Sequence, residues 1–104
     1  MVNEILTAAG VQTKRTRFAK RPDGTYAVWS DDITTDGPDG MPPRIFHHSV
    51  TIELYGDIPD EAKAAELEAA MNARGIHWTM QDWVWIQSEQ MYQKIYEFSH
   101  ITKT

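Results

Sequence analysis

Hydrophobic and polar residues alternate most clearly in residues 44–56, RIFHHSVTIELYG. Successive side chains of a β-strand point to opposite faces of the sheet. One face would carry a mostly apolar set: Phe46, His48, Val50, Ile52 and Leu54. The opposite face would carry a mixed set: Ile45, His47, Ser49, Thr51, Glu53 and Tyr55. The pattern predicts one long strand whose apolar face points into the core.

A helical period replaces this alternation near the start of the chain. Residues 2–10 place Val2, Ile5 and Leu6 at helical spacing, and Gly10 is a common helix stop. The segment therefore predicts a short amphipathic helix.

The clearest helix prediction is residues 59–74, PDEAKAAELEAAMNAR. Pro59 and the acidic residues after it suit the positive end of a helix, and Gly75 suits its end. One stripe of the helix would carry Ala64, Leu67 and Met71, and a second stripe would carry Ala62, Ala65, Ala69 and Ala73. The second stripe is explained either by the high helix propensity of alanine, which we favour, or by contact with a neighbour.

Several other segments have strand or loop patterns. An extended piece near residues 13–19, the turn RPDG and the aromatic segment TYAVWS together predict a hairpin. Residues 31–43, DDITTDGPDGMPP, are rich in Gly, Pro and Asp and predict an exposed loop. Strand patterns follow at IHWTM, WVWIQ and MYQKIYEFSHI, with SEQ as the turn between the last two.

These elements predict one α+β domain over residues 1–104. Most connections are too short for parallel crossovers, so we expect an antiparallel sheet of four to five strands. Two helices would pack on one face, and a loop or hairpin would protrude. With 41% hydrophobic and 24% charged residues, the composition is that of a folded soluble protein. No run reaches the roughly 20 apolar residues of a membrane span, so we expect no membrane partner.

Charge is segregated along the chain. Residues 1–21 carry a net charge of +4, and residues 22–104 carry −9. The positive charges are Lys14, Arg15, Arg17, Lys20 and Arg21. A basic cluster can bind nucleic acid, but this chain is acidic overall and the charges alternate along a predicted strand, which favours a solvated sheet edge. We therefore expect no sequence-specific nucleic-acid binding.

The spacing of the candidate residues does not match known catalytic or metal-binding motifs. His47 and His48 are adjacent on a strand, so their side chains leave opposite faces and do not readily share one ion. A calcium-loop pattern beginning at Asp32 has Pro43 where the bidentate Glu is required. Cysteine is absent, and no phosphate-binding glycine loop or nucleophile elbow occurs. An enzyme using either histidine with Glu53 is the least favoured interpretation, and we expect no cofactor and no catalysis.

The aromatic residues are the other candidates for function. Trp78, Trp83 and Trp85, with Tyr92 and Tyr96 nearby, could form a stacking platform for bases or sugars. In a domain of this size they more often fill the core or anchor a subunit interface. A small ligand-binding or nucleic-acid-binding module is therefore the alternative function.

Patterns along nearly the whole chain resemble the tail-completion or tail-terminator proteins of long-tailed bacteriophages and prophages. Such proteins have an aromatic strand, an acidic Gly-containing loop, a VELY-type strand, an acidic helix and a Tyr-rich last strand. The matching segments here are 26–29, 36–40, 52–55, 60–71 and 89–98. One departure is RPDGTY, where the proline that often directly precedes the tyrosine lies four residues earlier.

The resemblance implies a structural virion protein and not an enzyme. Several copies, typically six, would form a ring that caps the tail tube and joins it to the head-side connector. The protein would be assembled in the bacterial host cytoplasm and reside in the virion. Its partners would be further copies of itself, the tail-tube protein and the connector.

A ring needs two different complementary surfaces on each subunit. The basic stretch and the acidic loop are candidates for such a pair, and exposed tryptophans could anchor the contact. The interface candidates are Lys14, Arg15, Arg17, Asp31, Asp32, Asp36, Asp39, Trp83 and Trp85.

Overall fold

The computed structural model describes residues 2–15, 24–36 and 45–103. Its elements are α1 (Val2–Ala8), β1 (Gln12–Arg15), β2 (Tyr26–Asp36), β3 (Ile45–Gly56), α2 (Glu61–Ala73), β4 (Trp78–Ile86) and β5 (Met91–Lys103). They form one five-stranded sheet in the order β1-β2-β3-β5-β4. The pairs β2–β3, β3–β5 and β5–β4 are antiparallel. The predicted α+β class, with its antiparallel sheet and two helices, is confirmed.

Residues of the sheet and of both helices form the main core. Val50, Ile52 and Leu54 of β3 have no solvent exposure, which confirms the predicted apolar face of this strand. The same buried cluster contains Val2, Ile5 and Leu6 of α1, Ala64, Leu67 and Met71 of α2, and Tyr96 and Phe98 of β5. The second alanine stripe of α2 is exposed in the single chain. Neither described helix is long and apolar enough to cross a membrane.

The ends of α2 are fixed by side chains and by glycine. Asp60 caps the helix by accepting a hydrogen bond from the backbone N–H of Lys63 at 3.1 Å, and it also accepts one from Thr25 Oγ1 at 2.6 Å. Gly75 follows the helix with φ of +69°, a conformation that favours glycine. At mid-helix, the Tyr96 hydroxyl donates to Glu68 Oε2 at 2.7 Å and ties the helix to β5.

The predicted hairpin at the start of the sheet is wrong. Gln12 pairs with Tyr26 and Arg15 pairs with Trp29, so β1 and β2 run parallel. A turn signal such as RPDG indicates a local change of direction, but it does not fix which strands pair after the turn. Arg17, Lys20 and Arg21 of the basic stretch lie outside the described residues.

The predicted loop at residues 31–43 is also wrong over its first part. β2 continues through Asp36, and its second half pairs with β3 from Asp31 opposite Val50 to Asp36 opposite Ile45. Ile33, Thr34 and Thr35 are β-branched and suit a strand, and the glycines and prolines begin only after Asp36. The remainder of the predicted loop lies outside the described residues.

The two short strands predicted at IHWTM and WVWIQ are joined into β4. A register shift between Gln81 and Val84 marks a bulge, which explains why the alternation of side chains is interrupted there. The backbone N–H of Trp83 donates to Asp82 Oδ1 at 2.8 Å within this bulge. A single bent strand therefore replaces the two that the pattern predicts.

The sheet is longer than the helices that cover it. The buried positions of β3 begin at Val50, and the residues before it are exposed or half-buried. At this end β2, β3 and β5 continue together. The described pairing of β1 with β2 ends at Trp29, and β4 pairs with β5 only between Met91 and Phe98. We call residues 31–36, 45–49 and 99–103 the three-stranded arm. It contributes to the elongated shape of the molecule, 49 × 29 × 21 Å.

Candidate functional site

A polar cluster lies on the helix-side face of the three-stranded arm. Asp31 Oδ2 accepts a hydrogen bond from His48 Nδ1 at 2.7 Å, and Thr102 Oγ1 lies 2.8 Å from His48 Nε2. With its proton on Nδ1, the neutral ring accepts from the threonine hydroxyl. The cluster thus links β2, β3 and β5 through side chains. Asp31 and His48 are largely buried, with side chains 13% and 14% exposed.

His100 completes the cluster by stacking on His48. The two rings are 4.3 Å apart between centroids and inclined by only 10°, because the residues are directly opposite in the β3–β5 pairing. Burial lowers the pKa of His100, and the neighbouring His48 lowers it further, while Asp31 opposes both effects. His100 Nδ1 and Asp31 Oδ1 are buried without a hydrogen-bond partner among the described residues. The surroundings of His100 therefore favour its neutral imidazole.

Protonation of His100 is expected to weaken the fold. The pKa of His100 is lower in the folded protein than in the unfolded chain, so the unfolded chain binds the proton first as the pH falls. The contribution is fully present above about pH 6.5, the ordinary histidine value, and is lost as the pH falls towards the folded pKa. Urea unfolding at pH 7.5, 6.0 and 5.0 should show falling stability.

His100→Gln provides the control for the pH series, because glutamine does not titrate. Between pH 7.5 and 5.0 the stability of the variant should fall less than that of the wild type. Some decrease should remain in both proteins, because the carboxylates of the chain also titrate. Equal pH dependence in the two proteins would contradict the assignment to His100.

A groove lies mainly on the opposite face of the arm. It has a volume of about 540 Å³ and is lined by Asp32, Thr34, His47, Ser49, Ser99 and Ile101, and also by His48 and His100. Asp32 and Ile101 are exposed there. The arm thus presents a different chemistry on each face, with a paired and buried cluster on one and an open groove on the other.

The described residues contain no group of three or more His, Asp or Glu side chains that could hold a metal ion. His47 and His48 occupy alternate positions of β3 and belong to opposite faces of the sheet. His48 meets His100 instead, but parallel stacked rings do not aim their nitrogens at a common ion.

The described residues among the sequence-predicted interface candidates lie on different parts of the sheet. Asp31 faces His48, Asp32 borders the groove, and Asp36 ends β2. Lys14 and Arg15 lie on β1, an outer strand at the far side of β2. Arg17 and Asp39 lie outside the described residues.

The three candidate tryptophans have different environments. Trp78 and Trp83 pack against the main core, and Lys94 Nζ lies 5.8 Å from the centre of the Trp83 ring. Trp85 is 43% exposed and meets the edge of Tyr92 at 5.1 Å between centroids. The core interpretation is therefore confirmed for Trp78 and Trp83, and only Trp85 offers substantial exposed surface.

The histidine cluster was missed at the level of sequence. His48 falls on the core-facing side of its predicted strand, and His100 falls on the same side of its strand as Tyr96 and Phe98, which was the available signal. Their contact depends on the register between β3 and β5. The two histidines are separated by 51 residues, so no local pattern specifies that register. Asp31 was assigned to a loop, so it was not placed opposite β3.

No protein-family model and no curated protein matches the chain. The chain is similar to a chain of the solved structure "Virion of native gene transfer agent (GTA) particle", with a TM-score of 0.61 and 14% sequence identity. The match covers 96% of this chain and 84% of that chain. At this identity the likeness shows a shared fold, so the fold described here also occurs in a chain of a virion particle.

Proposed function

We propose that this protein is a structural component of a phage-like particle, acting as a tail terminator. Several copies, six in the form we favour, make a ring that caps the tail tube and joins it to the head-side connector. The ring is assembled in the bacterial host cytoplasm and remains in the virion. The protein acts through contacts and performs no bond-making chemistry.

One observation carries this proposal: the fold matches a virion chain over 96% of the present chain. The sequence resemblance to tail terminators supports the more specific role, because its matching segments include β3, α2 and β5 in the same order. Neither likeness alone identifies a partner, but both favour assembly.

The surface chemistry supports an assembly role as well. Six large apolar side chains of the described residues are exposed: Ile33, Ile58, Met80, Val84, Trp85 and Ile101. They lie on the arm, on β4 and on the β3–α2 connection, so they are distributed over several sides of the subunit. A subunit of a ring that also touches tube and connector needs several such contact surfaces.

The ring is tested by light scattering on the purified protein, alone and mixed with the tail-tube protein of the same particle. We expect a species of six times the 11.9 kDa chain mass in at least one of the two samples. Electron microscopy of tails assembled with and without the protein provides the functional control, since uncapped tails should vary in length. A protein that stays monomeric in both samples and leaves the tails unchanged would contradict the proposal.

A further inference from the structure

β4 is an outer strand with little protection against pairing. Outer strands expose a row of backbone N–H and C=O groups, and monomeric proteins usually protect them with lysine, proline, bulges or very short length. β4 has nine residues and contains no lysine, arginine or proline. Its bulge and its only charged residue, Asp82, occupy the centre, so the segments on both sides remain open.

The side chains of β4 also favour a covered state. Met80 is 49% exposed and Val84 is 47% exposed, and Trp85 is similarly exposed. Three of the six exposed large apolar residues of the described chain therefore lie on this one strand. Scattered apolar residues are ordinary on a surface, but their concentration along an unprotected edge indicates an interaction site.

The opposite outer strand of the described sheet has a complementary charge. β1 contains Lys14 and Arg15 and no acidic residue, whereas β4 contains Asp82 and no basic residue. We infer that β4 of one copy pairs with β1 of a second copy, so that the sheet continues from subunit to subunit. This inference rests on the proposed function, since a ring requires each copy to contact the next through two different surfaces, here the two outer strands.

Charge also argues against the symmetric alternative, in which β4 pairs with β4 of another copy. Asp82 is the middle residue of the strand, so an antiparallel pair centred on it would place two carboxylates opposite each other. Like charges directly opposite in a sheet are destabilising. Two bulges would also meet at the same point, where each interrupts the regular pairing.

The edge is tested with the double variant Met80→Lys, Val84→Lys. Lysine at half-exposed edge positions keeps its charge in water in the monomer but opposes burial under a second strand. In analytical ultracentrifugation, alone and with tail-tube protein, we expect association at least tenfold weaker than wild type. Ile58→Lys is the matched control for contact between copies, since Ile58 is 70% exposed and lies on the β3–α2 connection, off both outer strands of the described sheet. In the sample without tail-tube protein it should associate like wild type.

The possible results separate the two proposals. Rings that form equally well in the double variant would overturn the edge contact and leave the ring itself intact. Equal weakening in the double variant and in Ile58→Lys would also overturn it, because the effect would not belong to β4. A wild-type protein that never associates would overturn both. Thermal unfolding of each variant shows whether the monomer is still folded.

Cysteine cross-linking identifies the partner edge, because the natural chain has no cysteine. Thr13→Cys on β1 is mixed with Thr79→Cys or Gln81→Cys on β4, and the mixture is oxidised. We expect dimers that contain one copy of each variant. Cross-links of a β4 variant only with itself would overturn the β1 assignment and indicate the symmetric pair, and the absence of any mixed cross-link would overturn it too.

Discussion

Leu67→Ala is expected to lower the free energy of unfolding by about 3 to 4 kcal/mol, the middle of the range for buried leucine truncations. Leu67 has no solvent exposure and lies at the centre of the buried stripe of α2. Truncation loses the transfer free energy of its methyl groups and leaves a cavity between helix and sheet. Domains of this kind have a total stability of about 5 to 15 kcal/mol, so the loss is a large fraction.

Urea denaturation followed by tryptophan fluorescence and circular dichroism measures this effect. Glu66→Ala is the control on the same helix, because Glu66 is exposed and its pair with Lys63, at 3.2 Å, is a surface contact. Its removal should change stability by less than about 0.5 kcal/mol. A Leu67→Ala protein as stable as the control would show that Leu67 of α2 does not pack in the main core as described.

Trp83→Ala should destabilise the protein by about 2 to 4 kcal/mol, whereas Trp85→Ala should cost less than about 1.5 kcal/mol. Trp83 packs against the main core and has Lys94 beside its ring, so its loss opens the core at β4. Trp85 is partly in solvent and its main described contact is the edge of Tyr92. Both values come from chemical denaturation of otherwise identical proteins.

Trp83→Phe is the matched control for this pair. Phenylalanine keeps an aromatic ring and removes the indole N–H, which is buried without a partner among the described residues. It should therefore recover more than half of the loss caused by alanine. If Trp85→Ala were the more damaging change to the isolated subunit, the division into a core tryptophan and a surface tryptophan would be wrong.

The elements that could be predicted are those whose pattern is local. The alternation from Phe46 to Leu54 and the stripe of Ala64, Leu67 and Met71 each specify an element and its buried face without knowledge of the rest of the chain. Both predictions are confirmed, because burying one apolar face dominates the energy of such segments.

The predictions that were wrong concern pairing over longer distances. The parallel position of β1 depends on which strand it pairs with, and the extension of β2 to Asp36 depends on an equally long partner in β3. Aspartates disfavour strands in isolation, but the register with β3 places Asp31 against His48 and gives it a hydrogen bond. Tertiary pairing therefore overrides the local preference at this position.

The candidate site was harder to predict than the fold. Charge and aromatic content singled out Asp31 and the tryptophans as interface candidates, but they could not separate buried residues from exposed ones. The exposed edge of β4 becomes visible only when the strand order is known, because the same segment in a central position would have no edge. Interaction surfaces of this kind are properties of topology, and composition alone does not reveal them.

The strand order also has a consequence for when the subunit becomes ready for assembly. β5 follows β4 in the chain, yet it lies between β3 and β4 in the sheet and is the only described neighbour of β4. During synthesis β4 emerges first and must wait for residues 91–103 before it can join the sheet. The outer edge of β4 is therefore available in its folded form only on subunits whose sheet is already complete. A chain interrupted before β5 lacks the strand that β4 pairs with, so this edge does not form.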